Sequence, residues 1–272
     1  MLFRKKRRIP PEDQKEVPPG QKSPPVPEEL PLEEPVALQP SQAQEPAGRR
    51  KPSFEELERV LAAHQQWLRS RGQEGQKANL AGWYLRQAYL QGAVLRGADL
   101  HEANLQKAEL QNSDLFMADL RKVDLLEAQL HKAVLKKARL AGASLIRARL
   151  NGADLEGASL EGADLRQADL GQANLQGANL QGANLQGANL FLAELPGAQL
   201  QQAQLQEADL KGANLQGARL EKARFQGAKL EGVEWAGAQL RGADLREARG
   251  LKREDLREAI IDECTLLPSD QG

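Results

Sequence analysis

Apolar and polar residues alternate along this chain on a period of five. From Leu80 to Leu245 a large apolar residue stands at every fifth position, 34 times without a break, and 32 of these are leucine. Phe225 and Trp235 are the exceptions. Two places before each centre the residue is Ala in 30 of the 34 units; the others carry Trp83, Ser113, Val123 and Val233. An α-helix cannot use this pattern, because five residues advance about 140° and would scatter the leucines around the whole surface. Nor can a continuous strand, where an odd period puts successive leucines on opposite faces. A short extended piece followed by a corner does fit. Ala and Leu, two apart, then point inward while the residue between them points out. Gly92, Gly97, Gly152, Gly157 and Gly177, each two places after a leucine, mark corners with unusual dihedrals. Corners of one sense wind the chain into a coil, and stacked coils pair their backbones at about 4.8 Å.

Units such as Ala153-Asp154-Leu155-Glu156-Gly157 and Ala178-Asn179-Leu180-Gln181-Gly182 resemble the A-(D/N)-L-x-x motif of the pentapeptide-repeat proteins. The resemblance implies an all-β solenoid, a right-handed quadrilateral β-helix with four repeats per coil. The 34 repeats then make about 8.5 coils, in a rod about 40 Å long. A solenoid must cover both open ends, and the sequence predicts both covers. At the first, Ser53-Phe54-Glu55-Glu56 has capping-box spacing, and Leu57, Val60, Leu61, His64, Trp67 and Leu68 form one apolar stripe that stops at Gly72 and Gly75. At the other, the run from Gly250 to Ala259 predicts a short C-terminal capping helix leading into Thr265-Leu266-Leu267-Pro268. The expected division is a tail over 1–52, a capping α-helix over 53–72, the β-helix over 76–250 and a C-terminal cap over 251–272.

Residues 1–52 hold twelve of the fourteen prolines, and their composition predicts disorder or local polyproline II. Within them, Pro24-Pro25-Val26-Pro27 could dock an aromatic groove. Arg4, Lys5, Lys6, Arg7 and Arg8 could touch anionic lipid or nucleic acid. No apolar h-region follows those charges and no apolar run approaches a membrane span, so the expected compartment is the cytoplasm. One cysteine, Cys264, agrees with a reducing compartment.

Catalysis needs a pocket with converging polar groups, whereas this core is stacked leucine and alanine. His64, His101 and His131 are far apart, and no phosphate loop, metal-ligand spacing or nucleophile motif appears. The reading is a non-enzyme with no cofactor and no metal. Net charge is −1, and the repeat zone carries about 21 Lys and Arg against about 20 Asp and Glu. That balance argues against nucleic acid as partner. Some members of the resembled family mimic DNA to bind type II topoisomerases, a task that needs a strongly acidic surface; the charge disfavours it here.

An unknown protein partner is the remaining expectation. Outward apolar residues concentrate at Phe116, Met117, Leu126, Val134 and Ile146, with a separate pair at Phe191 and Leu192. Residues 20 apart should stack, so Leu126 and Ile146 belong side by side and Phe116 and Met117 on another face. Lys132, Lys136, Lys137, Arg139, Arg147 and Arg149 lie in the same stretch, where cations outnumber anions by eight to three between 118 and 153. An apolar spot with a basic rim suits an acidic protein partner and, less well, a nucleic acid or a membrane surface. Ile260, Ile261 and Leu266 could pair two copies through the terminal cap, or merely complete it.

Overall fold

The computed structural model describes residues 51–268, so the Pro-rich tail, apart from its last two residues, lies outside the described residues. The repeats form a β-helix solenoid. The residue before each centre pairs in parallel with the residue twenty ahead, in an unbroken series from Asn79 with Asp99 to Lys229 with Arg249. Four repeats therefore complete one coil. Through the regular coils three backbone hydrogen bonds per repeat join one coil to the next, as where Leu80 N–H donates to Asp99 O (2.7 Å), Asp99 N–H to Ala78 O (3.0 Å) and Gly82 N–H to His101 O (2.9 Å). Within each repeat the N–H three places on closes the corner on the central carbonyl, as Ala98 does on Leu95 (3.0 Å).

The corner has a fixed demand. In all 34 repeats the residue two places after the centre has positive φ, and only 17 of these are glycine. Lys, Gln, Glu, Arg, Asn, Met and Leu occupy the other 17, from Gln87 (59°) to Glu247 (62°). One positive φ at the third position of a four-residue turn is the type II signature. The polar residue before each centre supports the same corner. All sixteen Asp and Asn side chains at that position accept the N–H two residues on, at 3.0–3.3 Å. This Asx turn explains the Asp/Asn preference: it occupies an N–H that the ladder leaves over and holds the corner in register.

Inside, every centre from Leu80 to Leu245 is buried in one continuous core with the alanines. Phe225 and Trp235 sit edge to face, 6.1 Å apart. At one end, α1 (Phe54–Arg69) starts at Ser53, whose hydroxyl accepts the Glu56 N–H at 3.1 Å. Leu57 and His64 are buried, and Val60 and Leu61 pack against the first coil. His64 does more than fill space. Its Nδ1 accepts the Ala78 N–H at 3.1 Å, standing in for the central carbonyl, three residues back, that closes the corner before every later alanine position. The ring also stacks on Trp67, 5.7 Å away.

At the other end, the short helix in the run from Gly250 to Ala259 is a four-residue 3-10 helix, Arg253–Leu256. Four residues give Leu256 enough reach to bury itself, and Ala259 and Ile260 must already be extended to rejoin the ladder. Rejoining takes extra residues: Gln239 pairs with Ile260 and Asp244 with Leu266, one and two beyond the usual spacing. Asp262 Oδ1 accepts the Gly242 N–H (2.9 Å), and the Thr265 hydroxyl meets Leu240 O (3.0 Å). Side chains thus take over coil-to-coil bonds where the repeat stops.

Two outcomes follow. Gly182 and Gly212 share the corner conformation (φ 66° and 65°), but a Cβ on Gly182 meets open space and one on Gly212 falls 2.7 Å from Leu192 Cδ2. Gly182→Ala is expected to cost about 1 kcal/mol, the left-handed backbone penalty alone. Gly212→Ala should cost more in the same urea melts, with the excess removed by adding Leu192→Ala. Second, burial pushes the His64 pKa below the ordinary histidine value, with the Arg96 carbonyl opposing and Lys77 reinforcing. An unfolded histidine takes its proton near pH 6.5 and the buried ring only below that, so the stability this ring supplies is full above about 6.5 and declines as pH falls. Hydrogen exchange at the Ala78 amide, corrected for intrinsic rate, should accelerate below that pH and lose the pH dependence in His64→Asn.

Candidate functional site

With four repeats per coil, the rod has four sides, numbered here by their first centres: Leu80 (one), Leu85 (two), Leu90 (three) and Leu95 (four). Side chains at equal positions form columns 20 residues apart, and the two corner residues after each centre separate one side from the next. Leu126 and Ile146 are neighbours in the corner column between sides two and three, both half-buried. Their register is held where Lys107 N–H donates to Leu126 O (2.8 Å) and Glu127 N–H to Ile146 O (3.0 Å).

Phe116 and Met117 occupy the corner between sides four and one, diagonally across the rod, and Val134 lies on side four. Phe116 is half-buried under the Arg96 guanidinium, 4.8 Å from the ring centre, while Met117 is 55% exposed. Phe191 and Leu192, 44% and 43% exposed, are at the corner between sides three and four. The sequence-selected apolar residues therefore make three spots on three corners.

The six basic residues are likewise spread around the rod. Arg139 on side one reaches Asp119 at 3.4 Å, and Arg121 binds the same carboxylate at 2.5 Å. The Arg121 side chain, aided by its N–H and by Arg139, holds the Asp119 carboxyl below the usual range against the effect of burial. Lys136, at the corner of sides four and one, meets Glu156 at 2.5 Å, and this bond raises the lysine pKa. Arg147 contacts Glu127 at 3.6 Å and Gln167 at 3.0 Å. Lys132, Lys137 and Arg149 have no ion pair among the described residues. Exposed pairs of this kind contribute little to stability; their effect is to reduce a block of eight cations to three uncompensated ones.

Among the described residues no group of three His, Cys, Asp or Glu could hold a metal ion, and no helix is long and apolar enough to cross a membrane. His101 sits on Asp99 (2.7 Å) at the surface and His131 is half-exposed at a corner, neither beside a nucleophile.

A family model of pentapeptide repeats matches residues 78–115, 117–152, 153–190, 193–232 and 223–249, more than half of the chain. The chain belongs to the pentapeptide-repeat family. Solved pentapeptide-repeat structures similar to it include HetL, involved in heterocyst differentiation regulation in the cyanobacterium Nostoc sp. strain PCC 7120, at 32% identity over 72% of this chain and 84% of that one, with TM-score 0.28. A thylakoid-lumen protein of Arabidopsis thaliana is 34% identical over 38% of this chain and 72% of its own, with TM-score 0.37. QnrB1, a plasmid-mediated fluoroquinolone resistance protein, is 18% identical over 72% and 92%, with TM-score 0.41. Among curated proteins none matches. The repeat model carries the assignment, not these superpositions.

Proposed function

We propose that this pentapeptide-repeat protein is a non-catalytic scaffold that binds another protein on its outer columns. One observation carries the reading. Every inward position of the described rod is committed to packing, and apart from six inward departures from the Ala and Leu pattern, variation between repeats falls on side chains that stack in outward columns. A surface of that kind recognises; it has no cavity in which to exclude water around a reacting group. The winding is taken as right-handed, the family's sense, and the compartment as the cytoplasm on the evidence of the lone cysteine. A DNA-mimic role would need a one-sided anionic surface, and the near-neutral, ion-paired columns do not supply it. The reading of the basic N-terminal run as a lipid or nucleic-acid contact rests on residues outside those described.

Affinity capture from source-cell extract, using residues 53–272 and a Leu126→Asp/Ile146→Asp variant, tests the scaffold. A partner retained by the first and lost by the second is the expected result. Identical captures from both would show that the stacked pair is ordinary surface.

The same protein has a second contact to offer, to its own copy. The ladder ends at Ile260 and Leu266, and both are exposed together with Ile261, which stands at a centre position with no coil above it. Two copies meeting at this end would bury those side chains and cover each other's final strand edges. Sedimentation equilibrium is expected to give twice the chain mass, falling to one chain mass in Ile261→Asp with the circular dichroism spectrum unchanged. A single-chain mass at every concentration would reject the dimer.

A further inference from the structure

Side three gathers features that the rest of the rod keeps apart. Tyr89, 79% exposed, begins its outward column, which continues through Glu109, Gln129 and Arg149. The Leu126–Ile146 pair bounds the side at one corner, and Lys132, then Phe191 and Leu192, at the other. A groove of about 470 Å³ runs along the axis between two columns of long side chains. One wall is Lys107, Glu127 and Arg147, tied into a ladder by contacts of 3.3 Å and 3.6 Å. The other is Glu109, Gln129 and Arg149, with Gln129 Nε2 donating to Glu127 O at 3.3 Å.

Charge is uneven along this groove. Near Lys107 and Glu109 it is mixed, whereas Arg147 and Arg149 close the far end. Glu127 and Gln167 hold Arg147 in place. Arg149 is exposed, and it has neither an ion pair nor a side-chain hydrogen bond among the described residues. Lys132 across the side is in the same condition. A fixed wall, a free guanidinium and an adjacent aliphatic pair together define what would complement them: a carboxylate one or two residues from an apolar side chain. Three coils of groove span about 10 Å, enough for about three residues of extended chain.

We infer that side three, over its third and fourth coils, is a docking groove for a short acidic-apolar segment of another protein, with its carboxylate on Arg149 and its apolar side chain on Leu126 and Ile146. This rests on the scaffold reading and narrows it to one side. Bidentate Arg–carboxylate pairing sets orientation, and the aliphatic contact would discriminate such a segment from a simple anion.

Fluorescence anisotropy of the full chain with a labelled nine-residue peptide of alternating glutamate and leucine tests this directly. Saturable binding is expected, weakened at least tenfold by Arg149→Glu and by Ile146→Asp, and unchanged by Met117→Asp on the diagonal corner. A peptide with serine in place of leucine, or lysine in place of glutamate, should not bind. Absence of saturable binding, equal binding of the serine peptide, or equal loss in Met117→Asp would overturn the groove. If cell-extract partners survived Arg149→Glu, the groove would fail while the scaffold reading stood.

Discussion

Everything in this molecule depends on one backbone constraint, a left-handed residue two places after every leucine. A corner there turns the chain toward the next side and leaves the central carbonyl aimed at the N–H three places on. Repeated 34 times, it makes the twentieth residue the neighbour of the first. Half of these corners carry a residue with a Cβ, each against a backbone penalty of about 1–2 kcal/mol. The fold tolerates that penalty because each corner is over-determined. Three inter-coil hydrogen bonds, one turn bond and, in sixteen repeats, an Asx bond all require the same geometry. Glycine is thus the easiest occupant of the corner and not a necessary one. That leaves seventeen corner positions free to carry a functional side chain, among them Lys107, Glu127 and Arg147 in the groove wall.

The two ends show what becomes of that constraint when the repeat runs out. A ladder edge is unstable alone, because its N–H and C=O groups face either water or another edge. At the first coil an imidazole nitrogen replaces the corner carbonyl that serves every later alanine position, and burial favours the neutral ring, the only state in which Nδ1 can accept. At the last coil a carboxylate and a hydroxyl take over coil-to-coil bonds from the chain's own continuation. Among the described residues, one end is therefore covered by a helix and the other by the chain's own return to the ladder. That difference gives the rod a direction.

The solenoid was legible because period five excludes both regular elements, and the A-(D/N)-L motif then named the family. The Asx role of Asp and Asn was present in the motif but invisible without the backbone, since a polar outward residue at that place reads as solubility. A short helix was legible in the run from Gly250 to Ala259, but not its length or type: the ladder re-forms at Ile260 and leaves room for a single 3-10 turn, Arg253–Leu256. The surface was harder to read. Outward apolar residues between 116 and 149 are close in sequence, yet Phe116 and Leu126 lie on diagonal corners, because ten residues are half a coil. Phe191, by contrast, is far from Leu126 in sequence and bounds the same side. Nearness on this fold is measured modulo twenty, and the sense in which the chain crosses each corner must be known before columns can be joined into a side.

That geometry also limits how such a protein can bind. A core this uniform offers no hinge, so a partner must accept the spacing of the columns as it finds them: about 4.8 Å along the axis and one side chain per coil in each column. Under that restriction affinity cannot come from closing around a ligand. It must come from the sequence of side chains along adjacent columns. A column whose charges satisfy one another, such as Lys107, Glu127 and Arg147, is a rigid wall that presents little net charge. Recognition then falls to residues that the columns leave uncompensated. On side three Arg149 and Lys132 are two of these, with Glu109 a third at the opposite end of the groove, and Arg149 lies beside the one place where two aliphatic side chains stack at a corner. The periodicity that builds the rod makes most of its surface self-satisfied, and so makes the few departures from self-satisfaction the places where binding specificity can reside.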